Sequence, residues 1–82
     1  METFFTYIIF SPSKNRFYVG STNDIQRRLN EHNSGQTKST RPGKPWNLVF
    51  LKEFSSKSEA MKLEIKIKKR GIKRFLNDIQ PG

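Results

Sequence analysis

The sequence predicts a small α+β domain, a three-stranded antiparallel or mixed β-sheet flanked by about three helices. Three observations predict it. Two β-branched and aromatic runs lie close together near the start with turn residues between them. A third run of this kind, WNLVFLKEF, follows a long polar stretch. After each of the last two strands comes a segment bounded by helix start and stop residues.

The elements follow in order. Residues 4–10, FFTYIIF, predict a strand buried on both faces, because polar alternation is lacking. SPSKN at 11–15 is turn chemistry, and RFYVGS at 16–21 predicts a second strand paired with the first as an antiparallel hairpin. Thr22 or Asn23 is expected to cap the next helix, with Asp24 in its first turn, where the helix dipole favours a negative charge. That helix should run to about Asn33 and end at Gly35. Residues 34–45, SGQTKSTRPGKP, predict an exposed basic loop, long enough to suggest a function. Residues 46–54 predict the third strand. Ser56 with Glu59 three positions on is a capping-box signature for a helix that should stop at Gly71. A short last helix is expected over 72–79, closed by Pro81 and Gly82. With no repeat and no second core, the chain reads as one domain over residues 1–82.

Composition narrows the chemistry. Sixteen Lys and Arg against seven Asp and Glu give a formal charge of +9, which points to a polyanionic partner, nucleic acid above all. A membrane surface would call for a basic helix with a broad apolar face or a lipid anchor, and neither is visible. No signal sequence or apolar span is recognisable, so the chain is expected to be soluble and cytoplasmic. The absence of cysteine excludes disulfides, thiolate nucleophiles and cysteine zinc sites. With one histidine, any metal must be held by oxygens, which suits Mg²⁺ or Mn²⁺.

A few residues do not suit a bland basic domain. On a helix over 57–70, Ala60, Met61, Leu63, Ile65 and Ile67 spread over a wide apolar arc, and Glu64 falls near its middle. A carboxylate there needs a partner, either a structural lysine or arginine or a divalent cation. On the first helix, Ile25 and Leu29 mark the core stripe, and Arg28 and His32, four residues apart, are neighbours flanking it. Arg27 projects elsewhere as a solvated charge. His32 alone would read as a half-buried surface histidine. Beside an arginine that can grip phosphate, a neutral imidazole could also accept a proton. Tyr7 and Tyr18, the only tyrosines beside seven phenylalanines, sit one on each strand of the hairpin. Their hydroxyls could simply reach solvent or backbone. Gly20 suits a strand end that another group approaches closely.

Together these residues resemble the GIY-YIG nuclease family over nearly the whole chain, and most resemble its short stand-alone members. Tyr18-Val19-Gly20 is similar to the second tripeptide; Phe5-Thr6-Tyr7 keeps only the tyrosine of the first. Arg28 lies eight residues beyond Gly20, His32 four further, and Glu64 lies on the helix after the third strand, in the family's order. The resemblance implies an endonuclease in which Glu64 is the single protein ligand of Mg²⁺ or Mn²⁺ and Arg28 stabilises charge on the phosphate. It implies Tyr7 as general base toward water, helped by nearby positive charge, Tyr18 orienting water or phosphate, and His32 relaying a proton. Lys38, Arg41, Lys44 and Arg70 are expected to hold phosphates without reading sequence. Larger members join this domain to target-selecting modules that are missing here. Structure-guided or weakly specific cutting, or dependence on a protein partner that selects targets, is therefore expected; DNA is favoured over RNA as the substrate, with repair or recombination as the setting. The rival reading is a non-catalytic nucleic-acid-binding domain that keeps the fold.

Overall fold

The computed structural model describes residues 2–80, so the expected closure by Pro81 and Gly82 lies outside the described residues. Strands β1 (Phe4–Ser11), β2 (Arg16–Thr22) and β3 (Asn47–Phe54) alternate with helices α1 (Ile25–Ser34), α2 (Lys57–Arg70) and α3 (Ile72–Ile79) in the order β1-β2-α1-β3-α2-α3. The sheet is antiparallel throughout with β1 in the centre, order β2-β1-β3. That position explains the unbroken apolar run of β1, since Thr6, Tyr7, Ile8 and Ile9 are all buried.

The two faces of β1 carry two cores. Tyr7 and Ile9 pack with Trp46, and Tyr18, Ile25 and Leu29 close over them, so α1 covers this face. Ile8 packs with Val19 and Ile67 on the other, joined by Phe50, Leu63 and Phe75, so α2 and α3 cover that one. A register shift of β1 against β3 between Ile8 and Ile9 pairs Ile8 with Phe50 but Ile9 with Leu48.

Helix ends follow local chemistry, with one correction. Asp24, not Thr22 or Asn23, caps α1: its carboxylate accepts from the Arg27 N–H at 3.0 Å. Thr22 instead accepts from the Asp24 N–H, stiffening the turn that delivers the cap. Gly35 ends α1 in the left-handed region at φ 82°. Ser56 accepts from the Glu59 N–H at 3.2 Å, and Glu59 returns to the Ser56 hydroxyl. Gly71, at φ 95°, ends α2 and begins α3.

Two expectations change in packing. Met61 and Ile65 are 43% and 50% exposed, so the apolar stripe of α2 is narrower than its sequence suggests and runs through Ala60, Leu63 and Ile67. Glu64 therefore borders the core rather than sitting in the middle of it. The 34–45 loop is not simply exposed either. It contains a 3-10 turn (Arg41–Gly43), and Thr40 and Gly43 are buried beneath it. The Trp46 indole N–H donates to the Thr40 carbonyl at 2.7 Å, and Asn33 clamps both backbone polar groups of Trp46. No helix among the described residues is long and apolar enough to cross a membrane.

Candidate active site

The hairpin register puts Tyr7 of β1 opposite Gly20 of β2. The phenol lies across that glycine: a Cβ on Gly20 would come within 2.6 Å of the Tyr7 hydroxyl oxygen. Only a residue without a side chain leaves this space, which gives the glycine of the second tripeptide a physical reason.

Tyr7 is 1% exposed, and its hydroxyl meets two groups from consecutive turns of α1. His32 Nε2 is 2.9 Å away, and Arg28 Nε donates from 3.3 Å. The fourfold spacing of Arg28 and His32 thus brings both onto one phenol, as the helix repeat requires.

His32 is fully buried, and its other nitrogen, Nδ1, lies 2.7 Å from the Thr40 hydroxyl. The hydrogen-bond network assigns its tautomer. Thr40 has one hydroxyl proton, and the Thr37 carbonyl accepts it at 3.3 Å. The Thr40 oxygen then accepts from His32 Nδ1–H, and Nε2 carries the lone pair that accepts from the Tyr7 hydroxyl. In the opposite tautomer Nε2–H would donate to the Tyr7 oxygen, and the Tyr7 hydroxyl proton would lose the imidazole as its acceptor. Burial, and then the Arg28 charge, hold the His32 pKa below its usual value, which favours this neutral ring.

Two opposed influences act on the Tyr7 phenol. The Arg28 guanidinium does favour a phenolate, but burial is the larger influence, and the Tyr7 pKa is raised, not lowered. Tyr18 sits on the same face, half-buried, its ring edge-on to His32 at 5.2 Å between centroids and 6.5 Å from Trp46.

Glu64 reaches the site from α2. Its Oε1 accepts from the Ser21 hydroxyl at 2.9 Å, and Ser21 directly follows Gly20. Its charge contributes to raising the Tyr7 pKa, which puts the carboxylate within electrostatic reach of the phenol. Its Oε2 pairs with Lys68 Nζ at 2.9 Å. Of the two partners the sequence allowed, the structure supplies a lysine. Lys68 is 58% exposed, however, and such a surface pair one helical turn apart contributes only about 0.3–0.5 kcal/mol.

The donor set is compatible with one kind of metal. No group of three His, Cys, Asp or Glu side chains gathers among the described residues. A single carboxylate with a hydroxyl beside it suits a hard cation that keeps most of its waters, as Mg²⁺ does. Soft or imidazole-seeking metals find no cage here.

Tyr7, Tyr18, Arg28 and His32 thus meet at one point, with Glu64 at its edge. The four expected phosphate holders make contacts of their own. Arg41 Nε donates to the Gly35 carbonyl at 2.8 Å, and the Lys44 ammonium approaches the same glycine, both at the C-terminal end of α1. Lys38 is exposed on the loop. Arg70 makes a bidentate pair with Asp78 at 2.8 and 3.0 Å. Thr40, Ser21 and Lys68 were not singled out by the sequence.

A sequence profile of the GIY-YIG catalytic domain matches residues 3–76. The chain is 40% identical over 72 residues to the UPF0213 protein YazA of Bacillus subtilis, covering 84% of this chain and 72% of that one. It is 47% identical over 57 residues to a UPF0213 protein of Halobacterium salinarum, covering 68% and 74% of the two chains. The solution NMR structure of a UPF0213 protein from Bacillus halodurans superimposes with a TM-score of 0.58 at 34% identity, covering 98% of this chain and 87% of that one. The chain belongs to the GIY-YIG family, whose catalytic domain is that of a nuclease acting on nucleic acid.

Proposed function

We propose that this protein is a divalent-metal-dependent endonuclease with Tyr7, Tyr18, Arg28, His32 and Glu64 as its catalytic set. The observation that carries this reading is the chain of contacts Arg28–Tyr7–His32–Thr40, in which a buried phenol meets a buried imidazole on one side and a half-exposed guanidinium on the other. A structural core has no need of such a chain, and phenylalanine would fill the Tyr7 position without a polar partner.

In the proposed reaction a water oxygen attacks the phosphorus while the sugar oxygen on the far side leaves. Tyr7 takes the water proton as its own proton passes to His32 Nε2. Because burial disfavours a free phenolate, the two transfers are coupled, and the imidazolium that forms keeps its Nδ1–H on Thr40. Arg28 stabilises the negative charge that grows on the phosphate oxygens. Tyr18 orients the water or the phosphate beside His32. Glu64, with Ser21 next to it, would hold Mg²⁺ or Mn²⁺. When bound, that ion supplies charge stabilisation for the leaving oxygen.

Family membership and the net positive charge support a nucleic-acid substrate; the proposal takes DNA as the favoured one, cut with structure-guided or weak sequence specificity in a repair or recombination setting in the cytoplasm. One contact favours the rival reading of a non-catalytic binding domain: the Glu64–Lys68 pair. Cleavage assays with Mg²⁺ or Mn²⁺ on duplex, flapped, branched and single-stranded DNA and RNA separate the two. The proposal expects metal-dependent cutting that Glu64→Gln abolishes while thermal unfolding stays cooperative. Binding without cutting on every substrate would leave only the rival.

A further inference from the structure

Between the start of α1 and the start of α2 runs a cleft of about 510 Å³, lined by Ser21, Thr22, Arg27, Arg28, Lys57 and Ala60, with Glu2 also contributing to its wall. It is continuous with the candidate site through three residues. Ser21 holds Glu64, Arg28 touches the Tyr7 hydroxyl, and Ala60 lies one helical turn before Glu64. None of Lys38, Arg41, Lys44 or Arg70 lines it.

Two cations face the cleft without belonging to the catalytic set. Arg27 is 57% exposed, and its Nη2 donates to Asn23 Oδ1 at 3.1 Å, which steadies the guanidinium against the β2–α1 turn. Its contact with Glu31, at 3.8 Å, is long. Arg27 is thus a solvated charge, as expected from its place on α1, and it also lines the cleft. Lys57, exposed, stands on the first turn of α2. At 100° per residue, Lys57, Glu64 and Lys68 fall within about 40° of one another on α2. At a rise of 1.5 Å per residue, Lys57 lies about 10 Å and Lys68 about 6 Å along the helix from Glu64. A cation therefore stands on either side of the carboxylate along a single line.

From this geometry we infer that the cleft is a phosphate-binding subsite, in which Arg27 and Lys57 hold the backbone of a nucleic-acid strand next to the scissile position. The subsite rests on the nuclease reading for the word scissile, but its binding chemistry does not depend on it. A strand whose phosphate lies at Arg28 and Glu64 has to leave the site, and the cleft gives it an exit with positive charge on both walls. The strand then follows α2 from Lys68, past Glu64, to Lys57. The chemistry recognised is the phosphodiester, common to DNA and RNA.

The test is fluorescence anisotropy with labelled twelve-nucleotide DNA and RNA oligonucleotides in EDTA, across a salt series. It compares the parent with the Arg27→Ala/Lys57→Ala pair and with Lys62→Ala/Lys66→Ala, which removes two charges from the α2 groove beside Phe50 and Phe75. The cleft pair should lose about tenfold in affinity, and its salt slope should fall by about 1.4, from two phosphate contacts of about 0.7 each on a single strand. The control pair should lose less than twofold, and Arg27→Lys/Lys57→Arg should restore most of the loss. Thermal unfolding of each variant checks its fold. Equal losses from both pairs, or parental binding by the cleft pair, overturn the subsite. A protein that binds in the expected pattern yet cuts nothing with Mg²⁺ or Mn²⁺ overturns the nuclease reading and upholds the subsite as a binding cleft. One that cuts while its cleft pair binds like the parent overturns the subsite alone.

Discussion

Replacing Thr40 by valine keeps the shape of the side chain and removes one oxygen. That oxygen accepts from His32 Nδ1–H while its own hydroxyl donates to the Thr37 carbonyl, so the variant leaves a buried donor without an acceptor. An orphaned buried donor costs about 1–3 kcal/mol. For a domain of this size, a loss of about 2 kcal/mol lowers Tm by roughly 8–16 °C. The ring can relieve part of this cost by moving its proton to Nε2. It then donates to Tyr7 and can no longer accept from it, so the general-base route closes and kcat should fall about 100-fold. Two measurements check this: ¹⁵N-resolved NMR of the imidazole, which reads the tautomer directly, and cleavage under single-turnover conditions. Thr40→Ser restores both hydrogen bonds and should recover the Nδ1–H tautomer and most of the activity. The reasoning is refuted if the unmodified protein carries its proton on Nε2, or if Thr40→Val leaves tautomer, Tm and cleavage unchanged.

Three further outcomes follow from the same geometry. Because the His32 pKa is depressed on folding, the unfolded chain binds the proton more readily, so stability should fall as pH drops below about 6.5 and stay flat for this group above it. Urea titrations from pH 7.5 to 5 read this, and His32→Gln should remove that part of the slope. Gly20→Ala drives a methyl into the Tyr7 hydroxyl, which should cost about 1–3 kcal/mol in a denaturant titration and displace the phenol enough to lower cleavage. Removing the competing ammonium with Lys68→Met should tighten Mn²⁺ binding about twofold, the equivalent of one exposed helical pair, as read by the free-ion EPR signal.

The parts of this protein that were legible in its sequence are those written in local signals. The turn residues at 11–15, Ser56 with Glu59, and glycines 35 and 71 each act over a few residues, so the elements between them could be read directly. Arg28 and His32 were legible as neighbours because helical spacing makes them so. Where three residues in a row can all cap a helix, as at Thr22, Asn23 and Asp24, composition does not choose. The choice falls to the hydrogen bond that Thr22 gives the turn. The width of the buried face of α2 was not legible either. A helical period gives direction, whereas how many of the apolar residues are covered depends on what packs against them: Leu63 and Ile67 reach the core, and Met61 and Ile65 stay exposed. Thr40 lies in a stretch whose composition resembles any solvated loop. Its burial comes from Trp46 and His32, six and eight residues away along the chain, and no local pattern carries that contact.

The seat of the Trp46 indole on the Thr40 carbonyl has a spectroscopic consequence. The chain has a single tryptophan, so its emission comes from one fluorophore, and that fluorophore shares a peptide unit's neighbourhood with the residue fixing the imidazole proton. Light from this molecule therefore reports on the loop that sets up the chemistry, with no label attached.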